Sequence, residues 1–222
     1  MPRLIVIDGI DGCGKKTQVE LLQSYLKDSI LIDYPNYDSR SSELVKMYLN
    51  GEIDKDPYNI NPYLASTFYA CDRAINLKNW IDDYNNDKYI IANRYSSSNI
   101  IHQTSKLPKN EWDTFINWCN DLEYNRFKIP KPDIVLFLDL PLSISEELMK
   151  KRYTTNGIYD ESKKDIHENN LNYLKDCKEV AKYVINKLHW ITIHCADENG
   201  NLKSIEEIHN EIKKVISFFF NL

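Results

Sequence analysis

The chain has 222 residues, of which 42% are hydrophobic, and its formal net charge is −5 at pH 7. A chain of this length can bury one sizeable core, so we expect a single domain over residues 1–222. The acidic balance disfavours binding to a nucleic-acid polymer, which needs clustered Lys and Arg, and no apolar run approaches the roughly 20 residues that cross a bilayer.

The N-terminus and the cysteines bear on the cellular compartment. The first apolar run ends at Asp8 and is too short for the h-region of a signal peptide, so we expect a cytoplasmic protein. The five cysteines are scattered, without the paired spacing of a zinc site or the density of a disulfide framework. We therefore expect reduced thiols.

Five short apolar runs predict the β-strands. Their nearly continuous Ile, Val and Leu content, without polar alternation, is typical of strands that are covered on both faces of a parallel sheet. The five runs are Arg3–Asp8, Ser29–Asp33, Lys88–Ala92, Asp133–Asp139 and Trp190–His194.

Seven segments with helical apolar spacing lie between and after these runs. They are Lys15–Lys27, Ser41–Leu49, Pro62–Tyr84, Lys109–Arg126, Ser143–Lys151, Asp165–Lys187 and Ser204–Phe219. The alternation of strands and helices predicts an α/β fold, a doubly wound five-stranded parallel sheet with helices on both faces. The polar stretch Tyr153–Lys164 interrupts the pattern, and we expect either an ordinary surface loop or part of a mobile lid near residues 150–165.

The strongest functional signal lies between the first strand and the first helix. The segment reads Gly9-Ile-Asp-Gly-Cys-Gly-Lys-Lys-Thr17, and this spacing in this context predicts a phosphate-binding P-loop. Backbone N–H groups can curl around nucleotide phosphates, while Lys15 can reach the β- and γ-phosphates. The alternative is a glycine-rich turn with an accidental lysine. The residues predicted to bind ATP are Gly9, Asp11, Gly12, Cys13, Gly14, Lys15, Lys16 and Thr17.

Lys16 departs from the P-loop pattern, which places a magnesium-coordinating Ser or Thr directly after the key lysine. Thr17 comes one residue late. We therefore expect Mg²⁺ to be held mainly by water, phosphate oxygens and nearby carboxylates, and we assign it no direct protein ligand. Lys16 either adds a second cation at the phosphates or points to solvent from the first helical turn.

Together with four later motifs, the P-loop resembles the thymidylate kinase family across nearly the whole chain. The later motifs are Tyr34-Pro-Asn-Tyr-Asp-Ser39, Phe68-Tyr-Ala-Cys-Asp-Arg73, Asn93-Arg-Tyr-Ser-Ser-Ser-Asn-Ile-Ile-His-Gln103, and Lys150-Lys-Arg152 with Lys163-Lys-Asp-Ile-His-Glu168. The resemblance implies a P-loop kinase fold and transfer of the γ-phosphoryl group of ATP to thymidine monophosphate (dTMP). It also implies Mg²⁺ as the cofactor, a role in pyrimidine deoxynucleotide synthesis, and a homodimer.

The resemblance further implies a second nucleotide site, for dTMP. Its predicted residues are Asp11 at the sugar 3′-hydroxyl, Tyr37 and Arg94 at the phosphate, Tyr69, Arg73 and Asn99 at the base, His102 where a 2′-hydroxyl would be disfavoured, and Gln103 in the same motif. Tyr69 and Arg73 share a helix face, so the ring can stack on a pyrimidine while the guanidinium donates to its carbonyl edge.

Each of these residues has a plainer interpretation. Asp11 could cap the loop as a turn carboxylate, Tyr69 could be a core tyrosine beside a salt-bridging Arg73, and His102 could be an ordinary histidine. Arg40 lies near the acceptor phosphate in sequence but off the family's usual arginine position, and it is equally well a surface residue.

Two regions bear on catalysis and metal binding. Asn93 replaces the family's usual acidic residue, which weakens the case for a metal-organising carboxylate there, although an amide can still orient water. Basic residues of the lid could clamp the phosphates, and Asp165 and Glu168, three apart on one helix face, could position them or a hydrated metal; alternatively the lid is a solvated, salt-bridged loop. The predicted catalytic residues are Lys15, Lys16, Arg94 and Arg152.

Two other functions stay open at this point. One is a P-loop kinase for another nucleotide or for a deoxynucleoside, although a phosphate-gripping Arg94 favours a monophosphate. The other is a nucleotide-binding switch protein, which would share the P-loop but would need no acceptor pocket.

Overall fold

The computed structural model describes residues 3–155, 158–160 and 164–222. Its strands are β1 (Arg3–Asp8), β2 (Ile30–Asp33), β3 (Tyr89–Asn93), β4 (Ile134–Asp139), β5 (Thr154–Thr155), β6 (Ile158–Tyr159) and β7 (Ile191–His194). Five of them form a parallel sheet in the order β2-β3-β1-β4-β7, and β5 and β6 form a separate antiparallel hairpin. The five predicted strands are confirmed, each to within one residue at either end.

Strand β1 lies at the centre of the sheet and is apolar on both faces. Ile5 and Ile7 pack into one cluster of buried side chains, whereas Leu4 and Val6 pack into another on the opposite face. Successive residues of a strand point to opposite faces, so a strand covered on both sides needs apolar residues at every position. This is why the strand has no polar alternation.

Nine α-helices are present in the described ranges. They are α1 (Lys15–Tyr25), α2 (Glu43–Leu49), α3 (Pro62–Asn76), α4 (Ile81–Asn85), α5 (Ser96–Thr104), α6 (Trp112–Asn120), α7 (Leu142–Arg152), α8 (Leu171–Leu188) and α9 (Ile205–Phe220). Helices α1 and α9 cover the face with Ile5 and Ile7, and α5 and α8 pack together on the other. Within these ranges no helix combines the length and the apolar composition that crossing a membrane requires.

The single helix predicted over Pro62–Tyr84 is wrong, because α3 ends at Asn76 and a short 3₁₀ turn follows. The break occurs where Trp80 turns into the core, only 3% exposed, with its indole N–H donating to the Tyr34 hydroxyl at 3.1 Å. A continuous helix would not place that ring there. Burial of one large aromatic side chain therefore overrides the helical pattern of the sequence.

The predicted helix Lys109–Arg126 is also divided. It consists of a 3₁₀ turn, α6, and a π-helical segment, Asp121–Arg126. The helix predicted from Asp165 begins instead at Leu171, because the Asn170 side chain caps its N-terminus by accepting from the Tyr173 backbone N–H at 3.0 Å. Asp165 and Glu168 therefore lie on a turn and not on one helix face as predicted.

Helix α5 was not predicted at all. It opens with three serines and carries polar residues that face the inside of the molecule, so it lacks the apolar spacing that marks a helix. Within the lid segment (residues 150–165), the structure describes the end of α7 and the β5–β6 hairpin. Lys163, which was predicted to help clamp phosphates, lies outside the described residues.

Candidate active site

A cleft of about 970 Å³ opens at the carboxyl ends of β1, β2 and β3. This is the edge at which parallel α/β sheets bind ligands. Every predicted site residue lines the cleft except Gly9. The residues that the cleft brings together are Asp11, Gly12, Cys13, Gly14, Lys15, Lys16, Thr17, Tyr37, Tyr69, Arg73, Arg94, Asn99, His102, Gln103 and Arg152.

The glycines of the P-loop have different reasons to be glycine. Gly12 has a φ of 81°, and a Cβ atom there would lie 2.7 Å from the Ser145 carbonyl oxygen, so a side chain would push the loop away from α7. Gly9 lies behind the cleft, where a Cβ atom would lie 2.8 Å from the Leu138 carbonyl oxygen. Gly9 therefore shapes the loop from beneath and does not itself face a ligand.

The two lysines of the loop occupy different environments. The Lys15 ammonium is folded over the loop and donates to the carbonyl oxygens of Gly9 at 2.9 Å and Ile10 at 3.1 Å. Phosphate oxygens could replace these carbonyls without moving the loop. Lys16 is exposed, lines the cleft, and forms no ion pair with any residue that the structure describes. Thr17 is exposed beside it.

Asp8, at the end of β1, ties the P-loop to helix α5. Its buried carboxylate accepts hydrogen bonds from the Gly9 backbone N–H at 2.8 Å and from the hydroxyls of Ser97 and Ser98 at 2.5 and 2.7 Å. Sequence reasoning assigned no role to Asp8. The only signal was a charged residue at the end of an apolar strand.

Arg94 follows β3 with a φ of 64°, a left-handed conformation that is uncommon for a residue other than glycine. This conformation turns its guanidinium toward the P-loop, where Nη1 donates to the Ser98 hydroxyl at 3.0 Å and Nη2 donates to Asp11. Burial raises the pKa of Asp11, but the charges of Arg94 and Lys15 lower it by more, so the carboxylate is ionised.

A carboxylate from a neighbouring strand lies beside Asn93, where the sequence weakened the case for a metal-organising acidic residue. Asp33, at the end of β2, accepts a hydrogen bond from the Asn93 side-chain amide at 2.9 Å, and Asn93 Oδ1 has no partner among the described residues. Oxygen atoms of this kind fit Mg²⁺ that is bound mostly through water and phosphate. No group of three or more His, Cys, Asp or Glu side chains converges as a metal site in the described ranges.

The base end of the cleft is formed by helices α3 and α5. Tyr69 on α3 is half-buried, and its ring packs edge-on against Tyr48, with centroids 6.1 Å apart. Arg73, one turn later, is 2% exposed and forms a two-bond ion pair with Glu123, with Nε–Oε2 and Nη2–Oε1 distances of 2.6 and 2.5 Å. Burial lowers the pKa of Arg73, but Glu123 raises it by more, so the guanidinium keeps its charge.

Two amide side chains on α5 face this end with polar atoms unpaired. Asn99 Oδ1 and both polar atoms of the Gln103 side chain are buried and have no hydrogen-bond partner among the described residues. A buried polar group without a partner is costly, and the great majority are satisfied by protein, water or ligand. These atoms are therefore available to a polar ligand or to water in the pocket.

His102 lies beside them and stacks on His167, with ring centroids 5.1 Å apart. Burial lowers the pKa of His102 to about 4, so its ring is neutral at pH 7. Cys177 Sγ lies 3.6 Å from His102 Nδ1. The stack joins α5 to the turn that follows the lid segment.

Residues of the lid segment and of the turn that follows it form their own network. Arg152 Nη2 donates to Glu168 at 2.5 Å, and the Tyr153 hydroxyl donates to the same carboxylate at 2.6 Å. Asp165 accepts hydrogen bonds from the backbone N–H groups of His167 and Glu168, each at 2.9 Å. Burial and the charges of Asp11 and Glu168 raise the pKa of Asp165 to about 7.

The segment after β2 contributes Tyr37 but not Arg40. Tyr37 lines the cleft with half of its surface exposed, whereas Arg40 is exposed and does not line the cleft. Buried Asp72 on α3 holds this segment by accepting from the Asn36 backbone N–H at 2.8 Å and from the Ser41 hydroxyl at 2.5 Å. The surface interpretation of Arg40 is thus the correct one.

A P-loop that faces a second, polar pocket in one cleft defines a nucleotide-dependent phosphotransferase. The family model described as "Thymidylate kinase" matches residues 7–212. The chain belongs to the thymidylate kinase family. It is therefore an enzyme of the kinase class, and the predictions of the family and of the parallel α/β fold are confirmed.

Individual relatives agree with this assignment. The chain is 30% identical over 186 residues to the "Probable thymidylate kinase 1" of Saccharolobus solfataricus, covering 83% of this chain and 88% of that protein. It is 28% identical over 220 residues to the "Probable thymidylate kinase" of Pyrococcus horikoshii, covering 96% and 94%. A solved thymidylate kinase structure from Candida albicans matches with a TM-score of 0.69 at 23% identity, covering 99% of this chain and 93% of that one, which supports the fold.

Proposed function

We propose that this protein transfers the γ-phosphoryl group of ATP to dTMP, giving ADP and dTDP, as a step in the synthesis of pyrimidine deoxynucleotides. The observation that carries the proposal is one cleft that joins a P-loop to a pocket with buried, unpaired amide atoms. Membership of the family supports the same acceptor. Arg94 bonds both to the P-loop, through Asp11, and to α5, through Ser98, so the donor and acceptor phosphates would meet beside it.

On the donor side, the protein holds ATP and neutralises charge. The backbone N–H groups of the loop and the N-terminus of α1 would bind the phosphates, and Lys15 would exchange its two carbonyl partners for phosphate oxygens. Lys16 would lie beside the transferred group as a second cation. Phosphoryl transfer needs little covalent help, so this positioning is the main catalytic contribution.

On the acceptor side, Arg94 and Tyr37 would bind the dTMP phosphate and Asp11 the sugar 3′-hydroxyl. Binding a phosphate at Arg94 would compete with its present partner Asp11, which leaves that carboxylate free to accept from the sugar. The base would stack on Tyr69, with its polar edge toward Arg73 and Asn99.

Mg²⁺ is the expected cofactor, and Asp33 and Asn93 are the residues that would hold it, through water, together with the phosphate oxygens. When bound, it would neutralise charge on the β- and γ-phosphates. The lid, with Arg152 as its cation in the cleft, would exclude water, which otherwise competes with dTMP as the acceptor. The homodimer and the cytoplasmic location stay predictions.

A kinase for another nucleotide or for a deoxynucleoside is the main rival. Such a kinase would form ADP in the presence of a different acceptor. A switch protein would form no ADP that depends on an acceptor. The amide atoms at the base end and Arg94 at the phosphate favour a nucleoside monophosphate over both.

The test is ADP formation from ATP and Mg²⁺ with and without dTMP, for the wild type and two arginine variants. Arg94→Met should lower kcat/KM for dTMP by about 100-fold or more, because a charge on the reacting phosphates is lost. Arg40→Met, the exposed arginine outside the cleft, should stay within about two-fold of the wild type. A rate of ADP formation that is the same with and without dTMP would overturn the proposal.

A further inference from the structure

Glu123 is a buried carboxylate that does not line the cleft. It lies on the π-helical segment Asp121–Arg126, an irregularity that is frequent at functional sites. Both of its oxygens bind Arg73, through Nε and Nη2 of the guanidinium. The guanidinium is therefore fixed along its Nε–Nη2 edge, and Nη1, which donates to the Tyr95 carbonyl oxygen at 3.5 Å, is the nitrogen that Glu123 does not bind.

Glu123 also determines which way the Asn99 amide faces. Asn99 Nδ2 lies 3.3 Å from Glu123 Oε1 and 3.4 Å from the Ser66 carbonyl oxygen. Both neighbours accept hydrogen bonds and neither can donate one, so the NH₂ group must face them. The Asn99 oxygen is consequently the atom without a partner, in a side chain that is only 3% exposed.

Arg73 and Asn99 both line the cleft, and both bind Glu123 Oε1, at 2.5 and 3.3 Å, so a guanidinium donor lies next to the amide whose oxygen is unpaired. The base end of the cleft therefore offers a donor beside an acceptor. Thymine and uracil match this order, because they carry a carbonyl oxygen beside a ring N–H. Cytosine carries an amino group beside an unprotonated ring nitrogen and would set donor against donor and acceptor against acceptor. Adenine has the cytosine order, whereas guanine shares the thymine order and must be excluded by its size.

We propose that Glu123 is a positioning residue that sets this donor–acceptor order through Arg73 and Asn99, and that it thereby makes the acceptor site reject cytosine nucleotides. The inference rests on the proposed function, because it concerns the base half of the same acceptor site. Because Glu123 does not line the cleft, it would act on the base only through these two side chains. Its effect is on which base is accepted.

The experiment compares kcat/KM for dTMP and dCMP in the wild type, Glu123→Gln, Glu123→Asp and Asp121→Asn. In the wild type, dTMP should be preferred by about 1,000-fold or more, since mismatched buried hydrogen-bonding groups discriminate strongly. A glutamine can donate as well as accept, so the Asn99 amide can turn. Glu123→Gln should narrow the preference by about ten-fold or more, with an unchanged KM for ATP.

Two variants separate this role from a structural one. Glu123→Asp keeps an acceptor-only carboxylate, and Asp121→Asn makes the same acid-to-amide change at an exposed position of the same segment, where it pairs with Arg126. Both should keep the preference to within about three-fold of the wild type, even if Glu123→Asp binds dTMP more weakly. Melting temperatures identify variants that fail to fold.

The outcomes are distinct. A folded Glu123→Gln protein that keeps the wild-type preference overturns the inference, as does a Glu123→Asp protein that gains dCMP activity; the second result decides the matter if Glu123→Gln does not fold. Failure of the wild type to phosphorylate dTMP would instead overturn the proposed function. A narrowed preference in Glu123→Gln alone supports the inference.

Discussion

The donor half of the cleft, residues 9–17, and the acceptor half, built around Tyr69, Arg73, Asn99 and Gln103, are constructed differently. The donor half is one contiguous loop that offers backbone N–H groups and two lysines. The acceptor half draws side chains from α3 and α5, and it is supported by the π-helical segment after α6.

The difference corresponds to what each half must recognise. Phosphates are alike in all nucleotides, so a backbone loop with positive charge is sufficient for the donor. A base is recognised by the order of its donors and acceptors, which requires buried side chains in fixed orientations. Selectivity should therefore reside in the acceptor half, and catalytic charge stabilisation mainly in the donor half.

The largest expected effect is on the donor half. Lys15→Ala should lower kcat by about 1,000-fold, because a cation that would bind the β- and γ-phosphates is lost. The fold should remain, since among the described residues the Lys15 ammonium bonds to carbonyl oxygens of its own loop and to Cys13 and to nothing else. Lys27→Ala, an exposed lysine after α1, is the matched control. Unchanged turnover in folded Lys15→Ala would refute the P-loop assignment.

Tyr69→Ala tests the acceptor half. Loss of a stacking ring should raise the KM for dTMP on the order of 10- to 100-fold, while the KM for ATP stays nearly constant. Tyr69→Phe keeps the ring and should bind dTMP almost as the wild type does. Equal effects of Tyr69→Ala on both substrates would point to general destabilisation of α3 and would remove the contrast between the halves.

Lys16 sharpens the comparison within the donor half. If its charge acts on the transferred phosphate, Lys16→Met and Lys16→Thr should both lower kcat by about ten-fold, which corresponds to about 1.4 kcal/mol, with little change in the KM for ATP. Lys16→Thr adds a hydroxyl for magnesium but deletes the cation, so it separates the two explanations of this position. A wild-type kcat in Lys16→Met at saturating Mg²⁺ would indicate that the basic residues of the lid, and not Lys16, neutralise the charge of the phosphates.

The smallest effect concerns a lysine behind the acceptor half. Lys106 donates to the Tyr48 hydroxyl at 2.7 Å, and burial lowers the pKa of Lys106 to about 7 from its ordinary 10.5. Between these values the unfolded chain binds more protons, so the contribution of Lys106 to stability increases as pH rises from 7 to 9.

The measurement is the free energy of unfolding in urea at pH 7, 8 and 9 for the wild type and Lys106→Met. The free energy of unfolding of the wild type minus that of the variant should increase with pH, by less than about 1.4 kcal/mol per pH unit. The contributions of other titrating groups cancel in this difference. If the two curves run parallel, Lys106 keeps its charge in the folded protein and the burial argument fails.

The donor half was predictable from sequence because its signals are local. The strands are continuous apolar runs, and the P-loop is a fixed spacing of glycines and lysine between a strand and a helix. Both depend on residues that are close together in the chain. The Tyr69–Arg73 pair is different: the shared helix face is equally typical of a core tyrosine beside a salt-bridging arginine, and only the resemblance to the family assigns the pair to a base.

The support of the acceptor half could not be predicted in this way. Glu123 meets Arg73 across fifty positions of the chain, and Asp8 meets the α5 serines across about ninety, so no local pattern records either contact. Asp33 was missed for the same reason, since its partner Asn93 lies on a neighbouring strand. Helix α5 was not predicted because most of its buried residues are polar, so the sequence lacks the apolar spacing of a core helix.

The most direct test of the account is a panel of acceptors, dTMP, dUMP, dCMP, AMP and GMP, measured under one ATP condition. The account predicts the highest kcat/KM for dTMP, with dUMP behind it by about 10- to 200-fold, because one methyl group in an apolar pocket supplies only about 1–3 kcal/mol. A higher kcat/KM for AMP or GMP than for dTMP would contradict the assignment of Tyr69 and Arg73 to a pyrimidine base.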